Sequence, residues 1–401
     1  MNFRQNGDKY LIIIEVIALI VVLVFGAVHF VMPGNKANKK ITESQQETQN
    51  PTQETDGIQQ VQADGQQAAP AFTPSDSVKT KLSSMTTEEK VAQLFITRPE
   101  EITGVSQFTQ AGNKTKAAIG TYPLGGFVFR QENFSGEAAV IKMMSSLQSF
   151  SQERLGVNLF LAIDEEGGIV NRLSWYPQFR AVPFYSPQAL YTEGGYPLIV
   201  SDTEEKATLL KSVGINMNLA PVCDISTDPN DYIYPRTFGK NPKETATYVK
   251  AVVETMNENN IGSTLKHFPG YGNNLNTHSG ISIDNRSYES FINNDFIPFK
   301  AGIDAGADSI LVSHNIITSM DETLPASLSK KVHDIIRNDL GFNGVIMTDD
   351  LQMSAIKEYI GEVNSAIFAV NAGNDLIISS DYKVQIPYEV PFLQKASPRS
   401  F

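Results

Sequence analysis

The chain has 401 residues, room for one large domain or two small ones. Its formal net charge of -12 argues against a nucleic-acid partner, which would need a basic face. A single cysteine, Cys223, rules out a disulfide framework or a cysteine metal site within one chain, and its apolar neighbours assign it to a core.

Residues 10–32 form one apolar run, interrupted only by Glu15 and His29. A bilayer core of about 30 Å needs about 20 helical residues, so the run is long enough to span it. It exceeds a signal-peptide core, and no small-x-small cleavage site or lipid-bearing cysteine follows. Residues 1–32 therefore read as a cytoplasmic tip and an uncleaved transmembrane signal anchor. Lys36, Lys39 and Lys40 follow the run, and by the positive-inside rule they lean toward a cytoplasmic body. The chemistry below argues for the opposite orientation. Residues 33–75 are rich in Gln, Thr, Asn, Ala and Pro and cannot bury enough apolar surface to fold. They read as a disordered linker with a reach of several tens of Å, roughly.

From residue 76 onward, short apolar runs alternate with amphipathic stretches. The runs cover 91–97, 125–129, 159–163, 215–220, 262–265, 308–313, 344–348 and 374–379. Helical patterns lie between them, as at 201–213, 242–259 and 328–340. Buried strands alternating with helices indicate parallel βαβ units, and eight of them fit a (β/α)8 TIM-type barrel over residues 76–385. Pro387, Pro391 and Pro398 follow, so residues 386–401 are expected to form an atypical tail that leaves the last strand uncovered.

Polar residues sit just after these runs: Asp164, Lys266 with His267, His314, and Asp349 with Asp350. In a barrel all such positions share one rim around one mouth. A single aspartate there could simply cap the next helix, but capping does not account for several on successive strands. Asp349, the first residue beyond its strand, is expected to point inward, where a carboxylate can attack a glycosidic carbon. Asp350 is the competitor and reads as a helix cap. Lys266 and His267 supply hydrogen-bond donors that, with Asp164, suit sugar hydroxyls. Arg172 and Arg236 could complete the clamp or form surface ion pairs. His278, with an intrinsic pKa of about 6.5, is a candidate general acid/base. The five histidines have no His-x-x-x-His spacing, and no phosphate-cradling glycine loop occurs, so no metal or cofactor is expected.

Residues 80–385 resemble family 3 glycoside hydrolases of the bacterial β-N-acetylglucosaminidase type, in the single-barrel form. The segments 164–173, 218–224 and 236–239 are similar to the family's, with Ile169 replacing a usual arginine. Lys266-His-Phe-Pro-Gly270 is the most specific match, and 344–353 carries the family's nucleophile. The resemblance implies that Asp349 is that nucleophile. It further implies that Asp164, Arg172, Arg236, Lys266 and His267 bind a terminal N-acetylglucosamine, and that His278 is the acid/base. Where the family has an aspartate to polarise this histidine, the chain has Asn276. Asparagine can accept the imidazole hydrogen bond but lacks the charge that stabilises imidazolium, so weakened turnover is expected. The resulting expectation is a retaining exo-β-N-acetylglucosaminidase acting on peptidoglycan-derived glycans outside the membrane, held by residues 10–32. A sugar-binding pseudoenzyme is the alternative, as is a glycosyl phosphorylase, since histidine tolerates an anionic acceptor.

Overall fold

A computed structural model describes residues 75–274, 280–353, 356, 360 and 362–395. The expected anchor, nearly all of the linker, and residues 275–279 with Asn276 and His278 lie outside the described residues. Among the described residues no helix is long and apolar enough to cross a membrane.

Among the described residues ten strands occur in chain order: β1 Phe95–Thr97, β2 Gly126–Phe129, β3 Phe160–Ile163, β4 Met217–Asn218, β5 Gly262–Phe268, β6 Ile283–Asp284, β7 Ser309–Val312, β8 Ile316–Ile317, β9 Val345–Thr348 and β10 Ile377–Ile378. Eight form a parallel sheet in the order β10-β1-β2-β3-β4-β5-β7-β9, while β6 and β8 pair apart from it. The two ends of the sheet meet where Met347 bridges Leu376 in parallel, with Leu376 N–H donating to Ile346 O at 3.1 Å. The sheet thus curls into a barrel, and each of the eight expected apolar runs contributes one strand.

The runs are apolar on both faces because each face meets apolar neighbours. Phe95, Phe127, Phe129, Leu161 and Ile163 pack outward into one core cluster. Leu265, Ile310, Val312 and Ile346 pack into a second. The alternate residues Ile96, Val128, Ala162, Leu311, Met347 and Ile378 form a third cluster inside the ring. Each fully buried Leu, Ile or Phe contributes about 1.5–3 kcal/mol, so this alternation fixes strand register firmly. Lys266 shares the inward register of β5 beside Leu311 and is only 1% exposed. Cys223 is buried in the second cluster, as expected, and burial pushes its thiol well above the usual range.

The C-terminus departs from expectation. Tyr382–Lys395 is a helix with Pro387 and Pro391 inside it. Tyr382, Ile386 and Val390 fall on one face and are buried in the first core cluster. Both prolines lie on the exposed side, and so do Lys383 and Pro387, whose carbonyls the missing N–H groups leave open to water. Packing of the apolar face outweighs the proline cost, so residues 386–395 cover the barrel rather than forming a tail.

Candidate active site

β5 delivers Lys266 and His267 to the carboxyl end of the barrel, and the peptide bond between them is cis. The Lys266 ammonium lies 2.6 Å from Asp164 Oδ1 and 2.6 Å from Glu166 Oε1. Arg236 grips the same Glu166 with two bonds, Nη2 to Oε1 at 2.7 Å and Nε to Oε2 at 3.0 Å. Burial pushes the Glu166 carboxyl up, but Arg236 and Lys266 outweigh it and hold the group far below the usual carboxylate range. Burial likewise lowers Arg236, and Glu166 more than reverses that.

His267 has two different nitrogens. Nδ1 lies 2.7 Å from Asp224 Oδ2, and Nε2 lies 3.2 Å from Arg236 Nη2. A guanidinium has no lone pair to offer, so in the neutral ring Nδ1–H donates to Asp224 and Nε2 accepts from Arg236. The ring therefore presents an acceptor to the cavity, not the donor that sequence reasoning assigned it. The second Asp224 oxygen accepts from Tyr271 N–H at 2.7 Å, which ties the turn after β5 to the same carboxylate.

The loop after β3 is built around Glu165. Its carboxylate accepts from the N–H groups of Arg172 and Leu173 at 2.9 and 2.8 Å and from the Ser174 hydroxyl. Asn218, on β4, brackets the Glu165 backbone, accepting its N–H and donating to its carbonyl, both at 3.0 Å. Gly167 has φ 97° and lies so close to Tyr185 O that a Cβ would sit at 2.3 Å from it, so only glycine fits. Arg172 is thereby turned toward the cavity. Its Nε is buried and makes no hydrogen bond among the described residues.

Asp349 follows β9. Its N–H donates to Val312 O at 3.0 Å, and its Oδ1 accepts from Asp350 N–H at 2.8 Å. Asp350 accepts from Gln352 N–H at 3.0 Å; the helix it was expected to cap runs into residues 354, 355 and 357–359, which lie outside the described residues. Desolvation raises its carboxyl, opposed by that hydrogen bond and reinforced by Asp349. Fully buried His314 does not line the cavity: its Nε2 donates to Asp350 O at 3.1 Å, and it braces the floor from behind.

One cavity of about 750 Å³ is lined by Asp164, Arg172, Arg236, Lys266, His267 and Asp349, with Glu166 and Asp350. Of the ten residues singled out from the sequence, seven thus line one cavity, His314 lies behind it, and Asn276 and His278 lie outside the described residues. Sequence reasoning passed over Glu166 and Asp224. Asp224 lies four residues beyond the 215–220 run, behind Pro221-Val-Cys223, so taking the first polar residue after a run did not reach it. Nothing local separates Glu166 from its neighbour Glu165. Among the described residues no group of three or more His, Cys, Asp or Glu side chains is arranged to hold a metal ion.

Residues 86–396 match the family described as glycosyl hydrolase family 3, N-terminal domain. The chain belongs to that family. It is 30% identical over 260 residues to a beta-hexosaminidase of Xylella fastidiosa strain M12, covering 64% of this chain and 76% of that protein. A family 3 β-N-acetylglucosaminidase from Paenibacillus sp. FPU-7 aligns with a TM-score of 0.73 at 27% identity, covering 79% of this chain and 60% of that one. A β-N-acetylhexosaminidase from Beutenbergia cavernae aligns at 0.68 and 25%, covering 79% and 94%.

Proposed function

We propose that the protein is a retaining exo-β-N-acetylglucosaminidase acting on peptidoglycan-derived glycans. The observation that carries the reading is the cavity itself: a carboxylate on its floor and a ring of paired charges beside it. A sugar bearing hydroxyls and an acetamido group offers such charges both donors and acceptors. The names of the relatives point to the same sugar.

In the proposed cycle an Asp349 oxygen attacks the anomeric carbon while the glycosidic C–O bond breaks, and protonated His278 gives its proton to the leaving oxygen. Water then attacks the anomeric carbon, neutral His278 takes the water's proton, and the Asp349 carboxylate is released. Asp164, Arg172, Arg236, Lys266 and His267 hold the sugar, with Glu166 and Asp224 fixing three of them. Asn276 replaces the charge that would favour imidazolium, so protonation of poor leaving groups is the weak step.

That same residue favours a second reading, a sugar-binding protein with little turnover. A chromogenic N-acetylglucosaminide offered to the full chain separates the two. Turnover that disappears in Asp349→Ala supports the enzyme. Retained N-acetylglucosamine binding without turnover supports the binder, and phosphate-dependent release of a sugar phosphate would indicate phosphorolysis instead. We further propose that residues 10–32 anchor the chain in the cell membrane with the barrel outside. Protection of the barrel from protease on intact cells would overturn that orientation.

A further inference from the structure

Gly270 and Gly272, in the turn after β5, are moulded against one ion pair. A Cβ on Gly272, whose φ is 55°, would meet the Arg286 guanidinium at 2.8 Å, and one on Gly270, whose φ is 124°, would strike the Asp295 carboxylate. Arg286 Nη1 donates to Asp295 Oδ2 at 2.9 Å, Nη2 to Gly270 O at 3.1 Å and Nε to Asp284 Oδ2 at 2.9 Å. One side chain thus joins the turn after β5, strand β6 and the helical turn Phe291–Asp295. Asp284 and Asp295 are both buried, and the guanidinium lies 4.2 Å from the centre of the Phe291 ring. A planar fork with donors in fixed directions suits such a three-way bridge, and a flexible ammonium does not. Arg286 does not line the cavity.

The bridge also closes the stem of a short segment. Asn274 Nδ2 donates to Asp284 Oδ2 at 2.7 Å and to Tyr271 O at 2.8 Å, and the Ser282 hydroxyl donates to Asn274 Oδ1 at 3.2 Å. Asn274 and Ser282 are both buried and stand side by side, and His278 is four residues from each. A residue advances the chain by at most about 3.6 Å, so fixing the stem bounds where His278 can be. The stem is tied in turn to the sugar clamp: Gly270 N–H donates to His267 O at 2.9 Å, and Tyr271 N–H donates to Asp224. We infer that Arg286 is a positioning residue for proton transfer, acting through the stem of the segment that bears His278. The inference rests on the proposal that His278 is the acid/base. Because Arg286 touches the stem and not the cavity, its loss should spare the sugar and the nucleophile and weaken only the step that needs a proton.

The test compares kcat/KM of the full chain on phenyl and on dinitrophenyl N-acetylglucosaminide. The phenyl leaving oxygen needs a proton and the dinitrophenyl one does not. Arg286→Lys keeps a cation between the two carboxylates but loses the fork. Its kcat/KM should fall at least about tenfold on the phenyl glycoside and stay within about threefold of the parent on the dinitrophenyl one. Asn274→Ala opens the stem while leaving the pair of Arg286 with Asp295 in place, and it should show the same split in a protein that melts with the parent. Equal losses on the two substrates, or no loss on either, overturn the inference. So does a parent that hydrolyses only the dinitrophenyl glycoside, because no proton delivery is then there to position. A parent that hydrolyses neither sinks the functional proposal itself, and the positioning role with it.

Discussion

Arg236 Nη2 lies 3.2 Å from His267 Nε2, with an N–H directed at a ring nitrogen that can only accept it. Asp224, on the far side of the ring, takes the other nitrogen's proton and sets this tautomer. A sugar hydroxyl reaching Nε2 must therefore act as donor and compete with Arg236. Asp224→Asn keeps an acceptor but removes the charge that secures the tautomer. N-acetylglucosamine affinity should fall about tenfold, the worth of one strong hydrogen bond. Titration calorimetry gives the affinity, and nitrogen chemical shifts of the His267 ring report the tautomer. An unchanged affinity would mean that the ring does not contact the sugar.

Glu166 sits between Arg236 and Lys266, and removing its charge leaves two cations facing each other across a buried space. Glu166→Gln should destabilise the fold by about 3 kcal/mol, as breaking buried pairs does. Its carboxyl is held far below the usual range, so its stabilisation is complete above about pH 4.5 and fades as pH falls below that value. Denaturant titration at pH 7 and pH 4 should therefore find a smaller gap between variant and parent at the lower pH.

Asp295 behaves with the opposite sign. Burial raises its carboxyl to about 6 from 3.8, against the opposing charge of Arg286, whose Nη1 lies 2.9 Å from Asp295 Oδ2. The folded state thus holds a proton that the unfolded state has lost, and stability falls as pH rises from about 4 to about 6. The loss amounts to about 3 kcal/mol at 1.36 kcal/mol per pH unit. Asp295→Asn should flatten this part of the stability profile. The same carboxylate makes Gly270 obligatory, since a Cβ there would lie 2.1 Å from Asp295 Oδ1.

Restoring a carboxylate beside the proposed acid/base should raise activity. Asn276→Asp should increase kcat on a disaccharide by at least about tenfold, and much less on a dinitrophenyl glycoside whose leaving group needs no proton. The high-pH limb for the disaccharide should move upward, because an adjacent anion favours imidazolium. An equal gain on both substrates would place the effect outside proton transfer.

The eight strands were legible because each is an apolar run buried on both faces, a local property of the chain. Asp164, Lys266 and Asp349 were legible because a polar residue directly after such a run must emerge at one rim. The final helix was not. Its prolines are a local signal against helix, and the packing of Tyr382, Ile386 and Val390 that overrides them comes from elements far away in sequence. Glu166 was hidden for a related reason: its partner Arg236 lies 70 residues on, and only their meeting distinguishes it from Glu165.

The sequence by itself determined the barrel and most of the residues that ring its mouth, since both follow from alternation along a strand and from what comes next. Tertiary structure alone decided how those residues are paired: Glu166 shared by two cations and Asp224 fixing a tautomer. Pairing is set by distances between separate loops, and hydrogen-bond and charge energies change steeply over an ångström. No pattern along the chain carries that information.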